Sequence, residues 1–231
     1  MHVKGWVKSS LLDYPGKIAA SLFCGGCNFR CPHCHNADLV LHPDQQPDLP
    51  SDQIWDFLSR RHGLLDGVAI SGGEPTLQTD LLPFARRVRE MGFLVKLDTN
   101  GYRPDVLEAM LDAGLVDYVA MDVKAPLIKY DQAAGVAVDV KRIQHSMALL
   151  RRGPVDYEFR TTVVPGLLAE EDILEIGRLV SGVPRFYLQQ FVPHNTLDPE
   201  MTSRVPYLPE RVRAMVDLVA PWVGEVRLRG V

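Results

Sequence analysis

Short apolar runs alternate with segments of helical period along almost all of this 231-residue chain, and that alternation limits the folds open to it. Residues 18–23, 67–71, 93–98, 117–123, 157–164 and 185–191 read as strands. Residues 51–62, 80–91, 104–113, 140–152, 170–180 and 209–219 read as helices, with Ser51 as a cap and Pro104 at a first helical position. A short extended segment near residues 3–7 opens the chain, and a strand-like stretch at 225–228 closes it. Six strand-then-helix units imply a parallel sheet, because parallel neighbours need a long crossover and that crossover is usually a helix. The proline-rich residues 42–50 read as a surface loop.

A sheet of this kind is either a doubly wound plate or a partly closed barrel, and in both the reactive groups collect at the carboxyl ends of the strands. Here the chemically unusual residues fall at five or six such ends. Cysteines follow the first strand, Ser71-Gly-Gly-Glu-Pro75 follows the second, and Asp98-Thr-Asn-Gly101 ends the third. Asp122 and Lys124 end the fourth, Arg160 lies within the fifth, and His194 follows the sixth. That spread suits an arc around a central cavity better than one crevice. The expected fold is α/β, an incomplete (β/α)6 TIM-like barrel with parallel strands. One domain is expected over residues 1–231, with a cysteine loop at 24–36, core elements at 17–220 and a tail at 221–231.

With 25 basic and 29 acidic side chains the formal charge is −4, which gives no broad basic face for nucleic acid. The opening MHVKGWVKSSLLDYPGK lacks the apolar core of a signal peptide, and no segment approaches the ~18 continuous apolar residues of a membrane span. A cytoplasmic location without membrane association is expected.

All four cysteines lie in Cys24-Gly-Gly-Cys-Asn-Phe-Arg-Cys-Pro-His-Cys34. Disulfides of a secreted chain would be spread to close long loops, so metal or redox chemistry is favoured over stapling. Three readings compete. A structural zinc site usually draws a second ligand pair from a separate segment, and none exists here, although His33 and His35 are near. A ferredoxin-type electron carrier would show C-x2-C-x2-C-x3-C, whereas the spacing is C-x2-C-x3-C-x2-C. The third reading is an iron-sulfur cluster held by Cys27, Cys31 and Cys34 with one iron left open, Cys24 being a small buried bystander.

On these residues the loop Gly26-Cys-Asn-Phe-Arg-Cys-Pro-His-Cys-His-Asn36 resembles the signature loop of the radical S-adenosylmethionine superfamily. The resemblance implies a 4Fe-4S cluster on Cys27, Cys31 and Cys34, whose open iron is chelated by S-adenosylmethionine. It also implies that Gly72, Gly73 and Glu74 bind the amino group of that cofactor. Asp98-Thr-Asn-Gly101 and Ala120-Met-Asp-Val-Lys124 resemble paired motifs of the branch that activates glycyl-radical enzymes. By that likeness Asp98 and Asp122, with the carbonyls of Thr99 and Ala120, hold a monovalent cation, while Lys124, Arg160 and His194 contact the cofactor. Asp122 and Lys124 also share a parity along their strand and so face the same side. His33 stands where the family usually has a larger aromatic against the nucleoside, and by that likeness its flat imidazole stacks on or hydrogen-bonds the cofactor there.

The implied chemistry is one-electron cleavage of S-adenosylmethionine to a 5′-deoxyadenosyl radical, the cofactor carrying the hard step. Only 37 residues separate Cys34 from Gly72, so no insert for a second cluster is carried there. Leu11-Leu-Asp-Tyr-Pro-Gly-Lys17, the Cys-His-Asn ending and Arg227-Leu-Arg-Gly230 most resemble the activating proteins of anaerobic ribonucleoside-triphosphate reductases. The implied partner is that glycyl-radical enzyme, the implied substrate a glycine of its backbone, and the implied electron donor a flavodoxin or ferredoxin. A pyruvate formate-lyase-type activase, a small-molecule radical enzyme and a non-enzymatic carrier stay open.

Overall fold

The structure, a computed structural model, describes residues 1–230; Val231 of the expected tail lies outside the described residues. Eight strands follow one another in the chain: β1 (Val3–Ser10), β2 (Ala19–Cys24), β3 (Gly67–Gly72), β4 (Leu94–Thr99), β5 (Tyr118–Asp122), β6 (Asp156–Val163), β7 (Arg185–Gln190) and β8 (Glu225–Arg229). They hydrogen-bond in chain order in one sheet. The helices are α1 (Ala37–Leu41), α2 (Ser51–Ser59), α3 (Leu81–Glu90), α4 (Pro104–Asp112), α5 (Tyr130–Ala134), α6 (Val140–Arg152), α7 (Glu170–Leu179) and α8 (Pro209–Val219). The expected α/β alternation is present, and no helix among the described residues is long and apolar enough to cross a membrane.

The chain divides into two compact units. The first comprises Met1–Asn28, Asp38–Val119 and His145–Asp156; the second comprises Phe29–Ala37, Ala120–Gln144 and residue 157 onward.

In the first unit β2, β3 and β4 are parallel, and β1 runs antiparallel to β2. The antiparallel direction of β1, which lies outside the six expected parallel strands, has a simple reason. Residues 11–18 are too few for the dozen or more that a parallel crossover needs, so the chain must turn back. The connection also buries Tyr14 against Tyr118, with ring centroids 5.8 Å apart. Burial raises the Tyr14 phenol above its ordinary pKa, which suits a core side chain. β2 and β3 are near-continuous apolar runs because both faces are covered. α3 turns Leu81, Phe84, Ala85 and Val88 inward, and its last turn carries Arg87 and Arg89, where cations suit the negative end of the helix dipole.

In the second unit β6, β7 and β8 are parallel. Phe159, Phe186 and Leu188 of the sheet are buried, as are Ile173 and Ile176 of α7 and Val212 and Met215 of α8. α7 opens on Glu170, Glu171 and Asp172, acids at the positive end of the dipole, and Asp172 Oδ2 accepts from the Ala169 N–H at 2.9 Å. The five-residue helices α1 and α5 are absent from the sequence reading because one turn shows no hydrophobic period.

Leu97 is fully buried on β4, just before the strand end that carries Asp98. Leu97→Ala is expected to lower the unfolding free energy by about 2–5 kcal/mol in urea titrations. Leu12→Ala, at a side chain 85% exposed, is expected to change it by no more than about 0.5 kcal/mol.

Candidate functional site

In the first unit the parallel register sets Cys24, last residue of β2, beside Gly72, last residue of β3. Two glycines are obligatory here. Gly72 has φ +108°, and a Cβ on it would fall 2.3 Å from the Cys24 nitrogen; a Cβ on Gly73 would fall 2.0 Å from the Gly26 oxygen. The main chain of the cysteine loop is therefore seated on this turn, with Gly73 N–H donating to the Cys24 carbonyl and Glu74 N–H to the Gly26 carbonyl, both at 2.8 Å.

The Glu74 side chain is buried and turned into its own unit. Its Oε1 accepts from Thr76 N–H at 3.1 Å, Thr76 Oγ1 at 2.5 Å and Thr99 Oγ1 at 2.7 Å, and its Oε2 accepts from Asn100 N–H at 2.7 Å. Burial pushes the carboxyl above its ordinary pKa and the four donors oppose that shift. The sequence reading aimed this carboxylate at a cofactor amine; the structure places it on Thr76, Thr99 and Asn100.

Asp98 Oδ1 is salt-bridged to Lys96, whose side chain is 2% exposed, and its Oδ2 accepts from Ser71 Oγ at 3.1 Å. Lys96 went unassigned in the sequence, although it shares a parity with Asp98 on β4, the same signal that joined Asp122 to Lys124. Asn100, also unassigned, directs its side-chain amide at Asn28 Oδ1 (2.9 Å) and Cys27 Sγ (3.8 Å). Cys27 itself is half-buried and in no disulfide.

The second unit carries the rest of the loop and anchors it by main-chain bonds. Arg30 N–H donates to the Ala134 carbonyl at 2.7 Å, Asp198 N–H to Pro32 and Leu197 N–H to Cys34, each at 2.9 Å. Gly135, at φ +68°, ends α5 where a Cβ would lie 2.1 Å from the Arg30 oxygen. His35 Nε2 lies 2.8 Å from the Val192 carbonyl oxygen. Cys31 is buried and Cys34 half-buried, both free thiols. Burial pushes the Cys31 thiol up to about 11, with the Lys124 ammonium pulling the other way. His33 is buried with no partner for Nδ1, and burial followed by the Lys124 charge pushes it down to about 3.

Asp122, at the end of β5, accepts from Arg160 Nε at 2.8 Å and Lys124 Nζ at 3.0 Å. Burial would raise this carboxyl, but the two cations outweigh it and hold it well below the usual range. Burial would likewise lower Lys124, yet Asp122 and then the Cys31 thiol raise it. Within this unit, then, Asp122, Lys124 and Arg160 form one cluster. His194 is exposed on the loop after β7, and Ala120 is buried on β5. The expected cation ligands Asp98 and Asp122 are each already paired with a basic side chain of their own unit. Arg229, singled out in the tail, stacks 3.8 Å from the Tyr187 ring centroid and pairs at 3.0 Å with fully buried Glu158. Among the described residues no three His, Cys, Asp or Glu side chains are gathered for a single metal ion.

Residues 21–180 match the family profile described as the radical SAM superfamily. A protein of Methanocaldococcus jannaschii, named for the glycyl-radical enzyme activating enzymes, is 35% identical over 98% of this chain and 95% of its own. A pyruvate formate-lyase-activating enzyme of Clostridium pasteurianum is 27% identical over 81% of this chain and 79% of its own. Among solved structures, SuiB of Streptococcus suis superposes with a TM-score of 0.65 at 15% identity, over 90% of this chain but only 48% of SuiB, and shares the fold. Matched over more than half its length by the family profile and nearly end to end by the M. jannaschii protein, the chain belongs to the radical SAM superfamily, in its glycyl-radical enzyme activating branch.

Proposed function

We propose that this chain generates a glycyl radical on a partner enzyme, that the partner is the anaerobic ribonucleoside-triphosphate reductase, and that a flavodoxin or ferredoxin supplies the electron. The observation that carries the reading is the loop Cys27-x3-Cys31-x2-Cys34, three cysteines in no disulfide within eight residues of chain. The residues around them fit a 4Fe-4S cluster with S-adenosylmethionine. Soft sulfur donors suit iron, and His33 Nδ1 and Asn28 Nδ2 are buried polar atoms without partners. Held by Cys27, Cys31 and Cys34, such a cluster would supply one-electron reductive cleavage of S-adenosylmethionine, with methionine as leaving group, as the source of hydrogen-atom abstraction at the partner's glycine.

This chain's residues bind and orient. Cys27, Cys31 and Cys34 hold the cluster. The main chain of Gly72 and Gly73 supports the amino end of the cofactor, and Glu74 braces that turn from behind. Asp122 holds Lys124 and Arg160 in place, so that two fixed cations are available to the cofactor's carboxylate and ribose oxygens. His33 and His194 contact the nucleoside. With Asp98 and Asp122 already paired, the monovalent cation is the least supported part of the expected set. Cys24 is outside the ligand set. It is wholly buried, and burial, with the Glu74 charge behind it, pushes its thiol up to about 12. The resemblance to C. pasteurianum pyruvate formate-lyase-activating enzyme supports a second reading, in which the partner is a pyruvate formate-lyase.

The anaerobically reconstituted, dithionite-reduced chain is expected to release 5′-deoxyadenosine from S-adenosylmethionine. Cys31→Ala should bring that release to background and Cys24→Ala should leave most of it; equal losses would reassign the ligands. Mixed separately with an anaerobic ribonucleotide reductase and a pyruvate formate-lyase, the chain is expected to raise a glycyl doublet in the electron paramagnetic resonance spectrum of the first; a doublet on the second alone would transfer the assignment. In the cluster-free folded chain, iodoacetamide at pH 7.5 is expected to modify Cys27 and Cys34 and spare Cys24, as read by peptide mass spectrometry. Modification of Cys24 at the rate of the other two would contradict its burial.

A further inference from the structure

Asn100 lies on the turn after β4, with 6% of its surface exposed. Its side-chain orientation is fixed by chemistry rather than by choice of amide flip. Oδ1 accepts from Tyr102 N–H at 3.0 Å, which only an oxygen can do, so Nδ2 must face the other way. An amide nitrogen has two hydrogens. One goes to Asn28 Oδ1 at 2.9 Å, and the other points at Cys27 Sγ at 3.8 Å. Asn28 Oδ1 lies 4.0 Å from Cys27 Sγ as the acceptor of its thiol, so the amide donor aimed at this sulfur is Asn100 Nδ2.

The turn that carries Asn100 is held rigidly. Glu74 takes the Asn100 N–H on Oε2 and the Thr99 hydroxyl on Oε1, and Thr99 Oγ1 accepts from Gly101 N–H at 3.1 Å. A carboxylate as buried as Glu74, filled by donors from residues 76, 99 and 100, ties the β3 and β4 ends together. All of these residues belong to the first unit, so the N–H···S contact is part of one packed body.

From this geometry we infer that Asn100 is a positioning residue for the iron-sulfur cluster, donating to the sulfur of its Cys27 ligand and making the cluster easier to reduce. The inference rests on the radical SAM reading above. Its physical basis is that reduction adds negative charge to the cluster and its thiolates. A donor aimed at one of those sulfurs stabilises the reduced form more than the oxidised one, so the midpoint potential is higher with the donor than without it. Low dielectric strengthens the effect, because few waters compete at a residue this buried.

The experiment is a potentiometric titration of the reconstituted full-length chain, followed by electron paramagnetic resonance, with iron and sulfide content determined on the same samples. Asn100→Ala removes the donor without adding charge. Asn100→Ser also removes it, but keeps a short oxygen able to accept from Tyr102 N–H and so preserves the turn. Both variants are expected to bind the cluster and titrate at a more negative potential than the wild type, with Asn100→Gln, which retains an amide N–H, recovering part of the difference. Variants that bind the cluster and titrate at the wild-type potential would overturn the inference. Loss of the cluster from Asn100→Ala and Asn100→Ser alike would overturn it too, by making the role of Asn100 structural. A wild-type chain that takes up no cluster would instead remove the radical SAM reading on which the inference stands.

Discussion

A carboxylate buried among four hydrogen-bond donors, Glu74, is the interaction on which the first unit's strand ends depend. Neither its charge nor its donors can be moved singly. Removing the carboxylate would leave the N–H groups of Thr76 and Asn100 and two threonine hydroxyls buried without partners, at about 1–3 kcal/mol each. Putting an unpaired carboxylate in their place would be worse, since ionised groups resist desolvation. The side chain therefore fixes where β3 stops and where β4 stops in a single step. The cysteine loop then inherits its position, because the next two backbone N–H groups of that turn, from Gly73 and Glu74, hold the carbonyls of Cys24 and Gly26.

The second unit solves a related problem with charge. Asp122 is half-buried, and two cations, Lys124 and Arg160, converge on it. One carboxylate between two basic groups leaves a net positive charge, the sign that favours a nearby anion. The same excess explains why Lys124 features in the titration of both Cys31 and His33. A cluster that was neutral overall would hold the chain equally well but would do less for a bound anion.

Much of this was legible in the sequence, for identifiable reasons. Strand ends are where a parallel sheet exposes side chains, so Cys24, Gly72, Asp98 and Asp122 were placed by periodicity alone. Glycine permits close main-chain approach, and the structure brings the Gly26 oxygen within 2.0 Å of where a Gly73 Cβ would be. The direction of Glu74 was not legible. A glutamate beside two glycines suggests a ligand as readily as a brace, and only the positions of Thr99 and Asn100, 25 and 26 residues away, decide between them. The opening segment at residues 3–7 was legible as extended but not in its direction, because strand patterning says nothing of direction; the short connection to β2 supplies it.

Lys96 shows how far parity reasoning extends. A lysine two residues before an aspartate on a strand must share its face, and when that face is buried the pair is forced together whatever else the fold requires. Applied at residues 122 and 124 the argument put both side chains on one side, where the structure pairs them although Lys124 lies just past the end of β5; applied at 96 and 98, both within β4, it reaches another pair. Both aspartates assigned to a monovalent cation by resemblance thus have an ammonium in hydrogen-bonding reach within their own unit. A free cation at either carboxylate would have to approach against a fixed like charge, and the penalty rises as solvent is withdrawn. The charge around a motif's residues therefore has to be read together with them, and the neighbours two positions along the strand are where it is first visible.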